Sequence, residues 1–453
     1  MIMNRYLYSL RNYHAIRNAE IAVDGLTVLA GINGCGKSTL SKWLYYLVNG
    51  VNGLERYLYQ EYLNDIQELV RGFDMARRGM DRDVDAGSLT YFRQAQVRIR
   101  RFRYGETEGT EGRDEVLELF TQVLTRFCEM LKAYLKGPSS FVRKERVLNY
   151  LAIWLTEEEL TDEDHIERIV DDFYHGSMQE ARDLRNRYRQ TLENRTSESF
   201  FSLVSHRFGI RDKRPDDIQL EEDGVGLFHE GTVGSLYGLE RAIYVDTPMA
   251  VSEENDSENP FWSDLQDILL RESDDGQTGS DAVRKITLRI RKLLGGDVRV
   301  EDNDFDQKEL HYVRQDGLNI RLEDTATGFK SFSYILRLLD NGYINSRTLL
   351  LIDEPEAHLH PQWIVEFAHI LVLLNKNVGV KVMVASHNPD MVAAIQTIAC
   401  KEELLDRTCF YLAMPSDNGL TYDYKDLGQN IEEIFKSFNM AYRKIEQYGK
   451  PGL

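Results

Sequence analysis

One segment of the chain combines glycines, a lysine and hydroxyl residues at a spacing suited to phosphate chemistry. The sequence GINGCGKST, residues 31–39, matches the pattern GxxxxGK followed by Ser or Thr, and it comes after an apolar run, Leu26–Ala30, that predicts a buried strand. Glycines in this pattern let backbone N–H groups and a helix N-terminus face phosphates, while Lys37 would reach the β- and γ-phosphates and Ser38 would hold Mg²⁺. The alternative is a glycine-rich turn that matches by chance, and the strand and helix patterns on either side oppose it. The predicted nucleotide-binding residues are Gly31, Asn33, Gly34, Cys35, Gly36, Lys37, Ser38 and Thr39.

A second segment, LLLIDEPEAHLHP at residues 349–361, supplies acidic groups that a phosphate site needs. Its unbroken apolar start predicts a parallel strand that is buried on both faces. Asp353 follows that strand and could hold Mg²⁺, usually through water, and Glu354 could polarise an attacking water molecule. A helix cap is the structural alternative, because Pro355 and Pro361 favour a turn here.

Composition limits the class of protein. The chain has 453 residues, of which 42% are hydrophobic and 28% are charged, as is ordinary for a globular protein of two or three domains. The N-terminal residues lack a signal-peptide pattern and no apolar stretch approaches 18 residues, so we expect a cytoplasmic protein without a membrane segment. The four cysteines have no CxxC spacing, which argues against a structural zinc site or a disulfide framework.

The formal net charge of −19 opposes non-specific attraction to nucleic acid over the whole surface. Two local clusters of arginine are exceptions that could contact phosphates. More commonly, such clusters lie on a solvent-exposed face and pair with acidic residues. The first cluster consists of Arg93, Arg98, Arg100, Arg101 and Arg103, and the second of Arg182, Arg185, Arg187 and Arg189.

The chain divides into three regions by pattern. Residues 1–50 contain three short strand patterns, the glycine-rich segment and a helix predicted at residues 37–47. Residues 51–239 are mostly helical in pattern, and because no heptad persists they predict a compact helical insertion rather than a coiled-coil arm. Residues 240–453 alternate between strand and helix patterns. The sequence therefore predicts an α/β fold with a mixed or parallel sheet, interrupted by the helical insertion.

At this point four segments together resemble a known family. GINGCGKST, DTATGFKSF, LLLIDEPEAHLHP and VMVASHNPD follow one another as in the ABC-type ATPase heads of the RecF/SMC/OLD-like group. Within that group the chain looks most like stand-alone AAA-family ATPases of bacterial anti-phage defence loci, such as the Septu-like and PARIS-like ATPase subunits. The resemblance covers residues 1–50 and 240–412, and the helical insertion lies outside it.

The resemblance implies further site residues. Thr327, Gly328 and Lys330 occupy the signature position, where they would face the γ-phosphate of ATP bound by a second subunit. His387 matches the switch histidine that contacts the γ-phosphate or the attacking water. The chain departs from the usual pattern, because Thr327 replaces a serine and Phe329 replaces a small residue. In the same way His358 and His360 would shape the dimer-facing turn rather than bind a metal.

Other positions are placed by analogy alone. Asn12, Tyr13 and Arg17 would border the nucleotide, and Thr247 is a weak candidate for the glutamine-loop position. The chemistry would be carried by three groups, Lys37, Glu354 and His387, with Ser38 and Asp353 at the metal.

The resemblance implies an ATPase with ATP and Mg²⁺ as cofactors, acting as a homodimer or a higher homo-oligomer. We expect a regulatory or sensor subunit that controls a separate effector protein, a nuclease or toxin, in phage defence. The alternative is a RecF-like DNA-repair ATPase that acts directly on duplex DNA. A transporter motor is disfavoured, because EPEAHLHP and the helical insertion are unlike such motors.

Overall fold

The computed structural model describes residues 5–80, 86–102, 110–246, 260–271, 280–303, 307–417 and 419–436. Three residues that the sequence singled out, Thr247, Arg103 and the side chain of Arg100, lie outside this description. Contacts between Cα atoms divide the chain into two compact units. The first consists of Met1–Asn52 with Ser197–Leu453, and the second of Gly53–Thr196.

The first unit is organised by a ten-stranded mixed sheet whose order is β5-β4-β1-β2-β15-β14-β3-β13-β12-β8. Five neighbouring strands, from β14 to β8, run parallel to one another. A separate antiparallel sheet has the order β11-β10-β9, and β6 pairs with β7. The strands are β1 Tyr6–Tyr13, β2 Ile16–Ala22, β3 Leu26–Ala30, β4 Asp217–Glu222, β5 Val225–Gly226, β6 Phe228–His229, β7 Thr232–Val233, β8 Arg241–Val245, β9 Gly296–Asp302, β10 Lys308–Arg314, β11 Asn319–Arg321, β12 Thr348–Asp353, β13 Lys381–Ser386, β14 Thr408–Pro415 and β15 Tyr422–Asp426.

Burial explains why the central strands read as apolar runs. Every residue of β3, β12 and β13 is buried, because helices cover both faces of a parallel sheet. The helices are α1 Lys37–Gly79, α2 Ala86–Arg101, α3 Thr110–Lys136, α4 Phe141–Tyr150, α5 Glu157–Thr161, α6 Glu163–Asn194, α7 Ser197–Arg207, α8 Pro260–Leu270, α9 Asp281–Leu294, α10 Thr327–Asp340, α11 Pro361–Leu373 and α12 Pro389–Lys401. No helix in the described part of the chain is long and apolar enough to cross a membrane.

The second unit is helical, as its sequence pattern predicts. Its core contains a cluster of aromatic rings in which Phe73 of α1 stacks on Phe127 of α3 with ring centroids 5.1 Å apart. Arg93, Arg98 and Arg101 of the first arginine cluster are exposed on α2. In the second cluster, Arg187 lies close enough to Asp65 to oppose the rise in pKa that burial imposes on that carboxyl.

Two sequence predictions about this region need correction. The helix predicted at residues 37–47 continues without a break to Gly79, since α1 keeps an apolar face throughout. The predicted insertion, residues 51–239, extends too far, because β4 pairs with β1 and so belongs to the main sheet. The strands β4 to β7 were missed by the helical interpretation.

Candidate functional site

Strand register brings the two predicted motifs to one edge of the sheet. Ala30, the last residue of β3, is opposite Ser386, and Asp353, the last residue of β12, is opposite Ala385. Because these strands are parallel, their carboxyl ends meet in one row, where ligands of open α/β sheets bind. The glycine-rich segment, Asp353 and the residues that follow β13 therefore converge, although they are far apart in sequence.

The glycine-rich segment adopts a curled backbone conformation in which other residue types would be strained. Gly34 and Gly36 have φ angles of +81° and +98°, in the region that only glycine enters readily. A Cβ atom on Gly36 would lie 2.7 Å from Ile16 Cγ1, and one on Gly31 would lie 2.8 Å from Cys35 Sγ. The close approach of these neighbouring side chains therefore favours glycine at both Gly31 and Gly36.

The Lys37 side chain folds back over this loop. Its Nζ atom donates hydrogen bonds to the carbonyl oxygens of Gly31 at 2.9 Å and Ile32 at 3.1 Å. The residue is only 6% exposed, so its charge is held within the loop rather than in solvent. An anion inside the loop would meet an ammonium group that is already in place.

The other predicted residues of the loop differ in exposure. Asn33 and Ser38 are exposed, and Thr39 is half-buried. Cys35 is fully buried, with its Sγ atom 3.8 Å from the hydroxyl of Tyr424 on β15, so only its backbone is available to a phosphate. The same tyrosine hydroxyl donates to the Cys35 carbonyl at 3.2 Å, which ties the loop to β15.

Asp353 is a buried carboxylate that is surrounded by hydroxyl donors. It is 2% exposed, and its Oδ1 and Oδ2 atoms accept hydrogen bonds of 2.9 Å from Ser41 and Tyr244 respectively. Burial raises the pKa of Asp353, and Asp246 adds to the rise, whereas hydrogen bonds from Ser38, Tyr244 and Ser41 oppose it. The hydroxyl groups thus stabilise the ionised form in a site that would otherwise disfavour it.

These groups fit a magnesium ion by their chemistry. Mg²⁺ prefers carboxylate and hydroxyl oxygen ligands and usually keeps several water molecules. Ser38 is exposed and lies close enough to Asp353 to oppose the rise in the pKa of that carboxyl, so one hydroxyl oxygen and one carboxylate lie together beside the loop. Ser38 and Asp353 are therefore the residues that would hold the ion.

Glu354 leaves the strand in an unusual backbone conformation. Its φ angle is +48°, a left-handed conformation that costs energy for a residue with a side chain. Its N–H donates to the Ala385 carbonyl at 2.8 Å. The Glu354 side chain is about one-third exposed, and its Oε1 atom lies 3.1 Å from Nδ1 of His387.

The His387 imidazole lies against two carboxylates rather than one. Its Nδ1 atom is 3.1 Å from Glu354 Oε1 and 3.6 Å from Glu356 Oε1. The atom is buried, and neither contact is aligned as a hydrogen bond. The structure thus places Glu354 and His387 together, as the site hypothesis requires, and adds Glu356 to them.

Sequence reasoning missed four residues of this site: Ser41, Tyr244, Glu356 and Tyr424. Glu356 was visible as the second acid of the EPE string, but nothing in the string indicates that its side chain turns inward. Tyr244 and Tyr424 belong to strands distant in sequence from the motifs, and only strand order brings them near.

The signature residues lie at the start of α10. A Cβ atom on Gly328 would be 3.0 Å from Leu359 Cδ2, so the glycine packs against the loop that follows β12. Lys330 is 6% exposed, and burial lowers its pKa while Glu323 and Asp324 oppose that change. Thr327 is half-buried. None of the contacts described above at the sheet edge involves these residues, and their role toward a second subunit stays a prediction.

Phe329 and His360 have roles within the chain itself. The ring of Phe329 packs against Tyr312 and Trp363, with centroid distances of 5.4 and 5.2 Å. This packing accounts for a large residue where the family resemblance implies a small one. His360 caps α11, since its Nδ1 atom accepts from the N–H of Gln362 at 3.4 Å.

The residues placed by analogy near the nucleotide surround the turn between β1 and β2. Arg17 forms a two-pronged ion pair with Asp423 of β15. Tyr13 is buried against Trp43 of α1, whereas Asn12 is exposed. Because Ile16 nearly touches Gly36, this turn lies beside the glycine-rich loop.

Comparisons with known proteins give partial matches. Residues 274–393 match the model of the family described as AAA domain, putative AbiEii toxin, Type IV TA system. No curated protein matches the chain.

Similar solved structures include heads of SMC proteins. A SMC head bound to the C-terminal winged-helix domain of ScpA is 12% identical, with 95% of this chain and 98% of that chain covered and a TM-score of 0.38. A SMC head from Pyrococcus furiosus, with an extended coiled coil and bound to the C-terminal domain of ScpA, is 10% identical over 98% and 100% of the two chains, with a TM-score of 0.33. An ATP-binding cassette of an ABC transporter in its ADP conformation is 10% identical over 96% and 94%, with a TM-score of 0.33.

Because these TM-scores are all below 0.5, the similar structures do not establish the fold. The strand order and the position of the glycine-rich loop do. The glycine-rich loop joins the carboxyl end of a central parallel strand to a helix, and the acidic pair ends a strand of the same parallel group. That arrangement is a P-loop nucleotide-binding core. The predicted α/β fold with a mixed sheet and helical interruption is confirmed, and the chain has a P-loop NTPase fold.

Proposed function

We propose that this chain is an ABC-type ATPase head that binds ATP with Mg²⁺ and hydrolyses it to ADP and phosphate. The observation that carries the proposal is the contact of 3.1 Å between Glu354 Oε1 and His387 Nδ1, at the edge of the sheet where the P-loop begins. A phosphate-binding loop alone would support binding only. A carboxylate and an imidazole beside it supply groups that act on the attacking water.

Lys37 and the loop backbone would bind the phosphates. The Lys37 ammonium group now donates to two loop carbonyls, and it would exchange these for oxygens of the β- and γ-phosphates. Since the ammonium is buried already, little reorganisation is needed when charge develops during phosphoryl transfer.

The two acidic residues have different roles: Asp353 would bind the metal ion, and Glu354 would act on the attacking water. Mg²⁺, held by Ser38 and Asp353, would supply positive charge to the β- and γ-phosphate oxygens. Glu354 accepts a hydrogen bond from the attacking water and orients it. His387 contacts that carboxylate through Nδ1, and its imidazole would donate to the γ-phosphate.

The wider role is proposed from the motifs and the family match. A second subunit would contribute Thr327, Gly328 and Lys330 to a shared site, so the active form would be a homodimer or higher homo-oligomer. The partial match to a family described as AAA domain, putative AbiEii toxin, Type IV TA system supports the ATPase class. The role as a cytoplasmic regulator of a separate nuclease or toxin is proposed from the sequence resemblance alone. Phage defence is the setting that the resemblance favours.

The first test measures ATP turnover by the purified chain and by Glu354→Gln. We expect Glu354→Gln to bind ATP as tightly as the native chain and to lose about a hundredfold or more in turnover, because general-base catalysis contributes factors of this size. Lys37→Ala should instead weaken nucleotide binding. Glu180→Gln and Lys285→Ala, at exposed positions on α6 and α9, are the matched controls.

The same assay distinguishes the proposed function from the alternative, a DNA-repair ATPase. Turnover that rises strongly with duplex DNA at low salt and loses this stimulation at moderate salt would favour the RecF-like repair ATPase, acting through the exposed arginines of α2. Native turnover by Glu354→Gln would show that the catalytic assignment is wrong.

A further inference from the structure

Glu356 is buried although its side chain is ionisable. Its side chain is 3% exposed, whereas the side chain of Glu354, two residues earlier, is 34% exposed. A glutamate is rarely buried without a structural or chemical reason, because removing a charge from water is costly. The two acids of the EPE string therefore have different environments and, we argue below, different tasks.

The Glu356 side chain contacts Ser386, the last residue of β13, and His387, the residue that follows it. Its Oε1 atom accepts a hydrogen bond of 2.7 Å from the Ser386 hydroxyl and one of 3.1 Å from the His387 N–H. The same oxygen is 3.6 Å from Nδ1 of His387. One carboxyl oxygen thus accepts from the backbone of His387 and lies beside its ring, and His387 is the residue that contacts Glu354.

The connection extends to the helix that follows. The Ser386 hydroxyl accepts from the Asn388 N–H at 3.1 Å, and the Asn388 side chain caps α12 by accepting from Asp390 N at 2.7 Å. Ser386 also lies opposite Ala30, the residue that precedes the P-loop. Glu356 is therefore bonded to a short segment that adjoins both the P-loop strand and α12.

We propose that Glu356 is a positioning residue for ATP hydrolysis: by accepting from Ser386 and His387 it holds the His387 imidazole against the Glu354 carboxylate. This inference rests on the proposed ATPase function and assigns Glu356 no contact with the nucleotide. It predicts an effect on the chemical step rather than on nucleotide binding, because Lys37 and the loop remain intact.

The role needs an acceptor oxygen and not a negative charge. Glu356 Oε2 is buried and has no hydrogen-bond partner, an unfavourable position for one end of an ionised carboxylate. Burial raises the pKa of Glu356, against the effect of its hydrogen bonds. A proton on Oε2 would leave Oε1 free to accept from both donors. Glutamine has the same acceptor oxygen and nearly the same shape.

The test compares Glu356→Ala and Glu356→Gln in steady-state ATP hydrolysis. Misplacing a catalytic group by about 1 Å costs about a hundredfold in rate, so Glu356→Ala should lower kcat by about that factor while KM for ATP stays within about threefold. Glu356→Gln should rescue most of that loss. In a His387→Ala background, Glu356→Ala should cause no further loss, because residues that act through one another are not additive.

Three outcomes would overturn the proposal: native kcat in a folded Glu356→Ala variant, equal losses in the Ala and Gln variants, or additive losses with His387→Ala. If Glu356→Ala does not fold, Ser386→Ala removes one donor with little change in volume, and its kcat should fall with KM unchanged. Native kcat in Ser386→Ala would then reject the proposal. Two measurements made in parallel keep this proposal separate from the proposed function. Native turnover in Glu354→Gln would reject the catalytic assignment of Glu354, and absence of ATP turnover by the native chain would reject the ATPase function itself.

Discussion

Asp353 is stabilised chiefly by neutral hydroxyl groups. Ser38, Ser41 and Tyr244 donate to it, while Asp246 is a neighbouring acid that raises its pKa. A carboxylate in such a pocket keeps its negative charge available to a cation and its orientation fixed by three separate donors. The tyrosine is the donor farthest from the P-loop in sequence, and phenylalanine would keep its ring while removing the hydroxyl.

Removing the Tyr244 hydroxyl tests this arrangement. In Tyr244→Phe the Oδ2 atom of Asp353 loses its 2.9 Å hydrogen bond, and changes to such supporting groups weaken metal sites by about tenfold or more. We expect the Mg²⁺ concentration for half-maximal turnover to rise by about tenfold, with a stability loss of about 1–2 kcal/mol. A magnesium titration of ATP turnover and thermal unfolding measure the two effects.

Tyr237→Phe is the control for this change, because the Tyr237 side chain is largely exposed. It should leave both the magnesium titration and the unfolding midpoint as in the native chain. An unchanged magnesium requirement in Tyr244→Phe would mean that Ser38 and Ser41 suffice to hold Asp353.

The residues within one continuous motif could be predicted from the sequence, but the residues that support them could not. Lys37, Asp353 and Glu354 are recognised because the motif fixes both residue type and neighbouring elements. Tyr244 ends up beside Asp353 only because β8 pairs with β12. No local pattern encodes that pairing, so the hydroxyl donors become visible only with the strand order.

At the scale of elements, α1 contains glycines in two very different surroundings. A Cβ atom on Gly72 would meet nothing within 4 Å, whereas one on Gly50 would lie 2.7 Å from Val204 Cγ2 and 3.0 Å from the Phe200 ring. Glycine inside a helix is unfavourable by about 1 kcal/mol relative to alanine. Gly72 therefore has no steric reason to be glycine, whereas close packing favours glycine at Gly50.

The two positions form a matched pair for mutation. Gly72→Ala should stabilise the protein by about 1 kcal/mol, whereas Gly50→Ala should destabilise it by about 1–3 kcal/mol because it overpacks the contact with α7. Chemical denaturation followed by far-UV circular dichroism measures both. Stabilisation by both substitutions would contradict the packing that we describe at Gly50.

Elements were predictable where burial makes a strong pattern. β3 and β12 are uniformly buried, and the strands predicted at Leu26–Ala30 and at the apolar start of residues 349–361 are confirmed. β4 has the sequence DIQLEE and β15 has YDYKD. Such short, polar strands gain their stability from neighbouring strands, and sequence alone gave no reason to separate them from helix or loop.

At the scale of the whole molecule, the proposed reaction needs a second copy of the chain. Each ATP would be held by the P-loop of one subunit and by Thr327, Gly328 and Lys330 of the other. ATP would then stabilise the assembly by mass action, since it binds the paired form more tightly than the single one. Hydrolysis would release that stabilisation.

This coupling predicts a nucleotide-dependent change in mass. Glu354→Gln with ATP and Mg²⁺ should form a dimer or larger homo-oligomer, because it retains uncleaved ATP, whereas Lys37→Ala should remain in its nucleotide-free state. Size-exclusion chromatography with light scattering measures the mass. A Glu354→Gln protein that binds ATP without any change in mass would reject the shared site and leave the hydrolysis proposal standing.

The position of β3 has a consequence for the order in which the protein can fold. β3 is made early, yet its neighbours in the sheet are β13 and β14, which pair with it at residues 382 and 408. During synthesis the apolar strand ahead of the P-loop therefore leaves the ribosome with both edges unpaired, a state prone to aggregation. We therefore expect N-terminal fragments that carry the P-loop motif but lack β13 and β14 to aggregate.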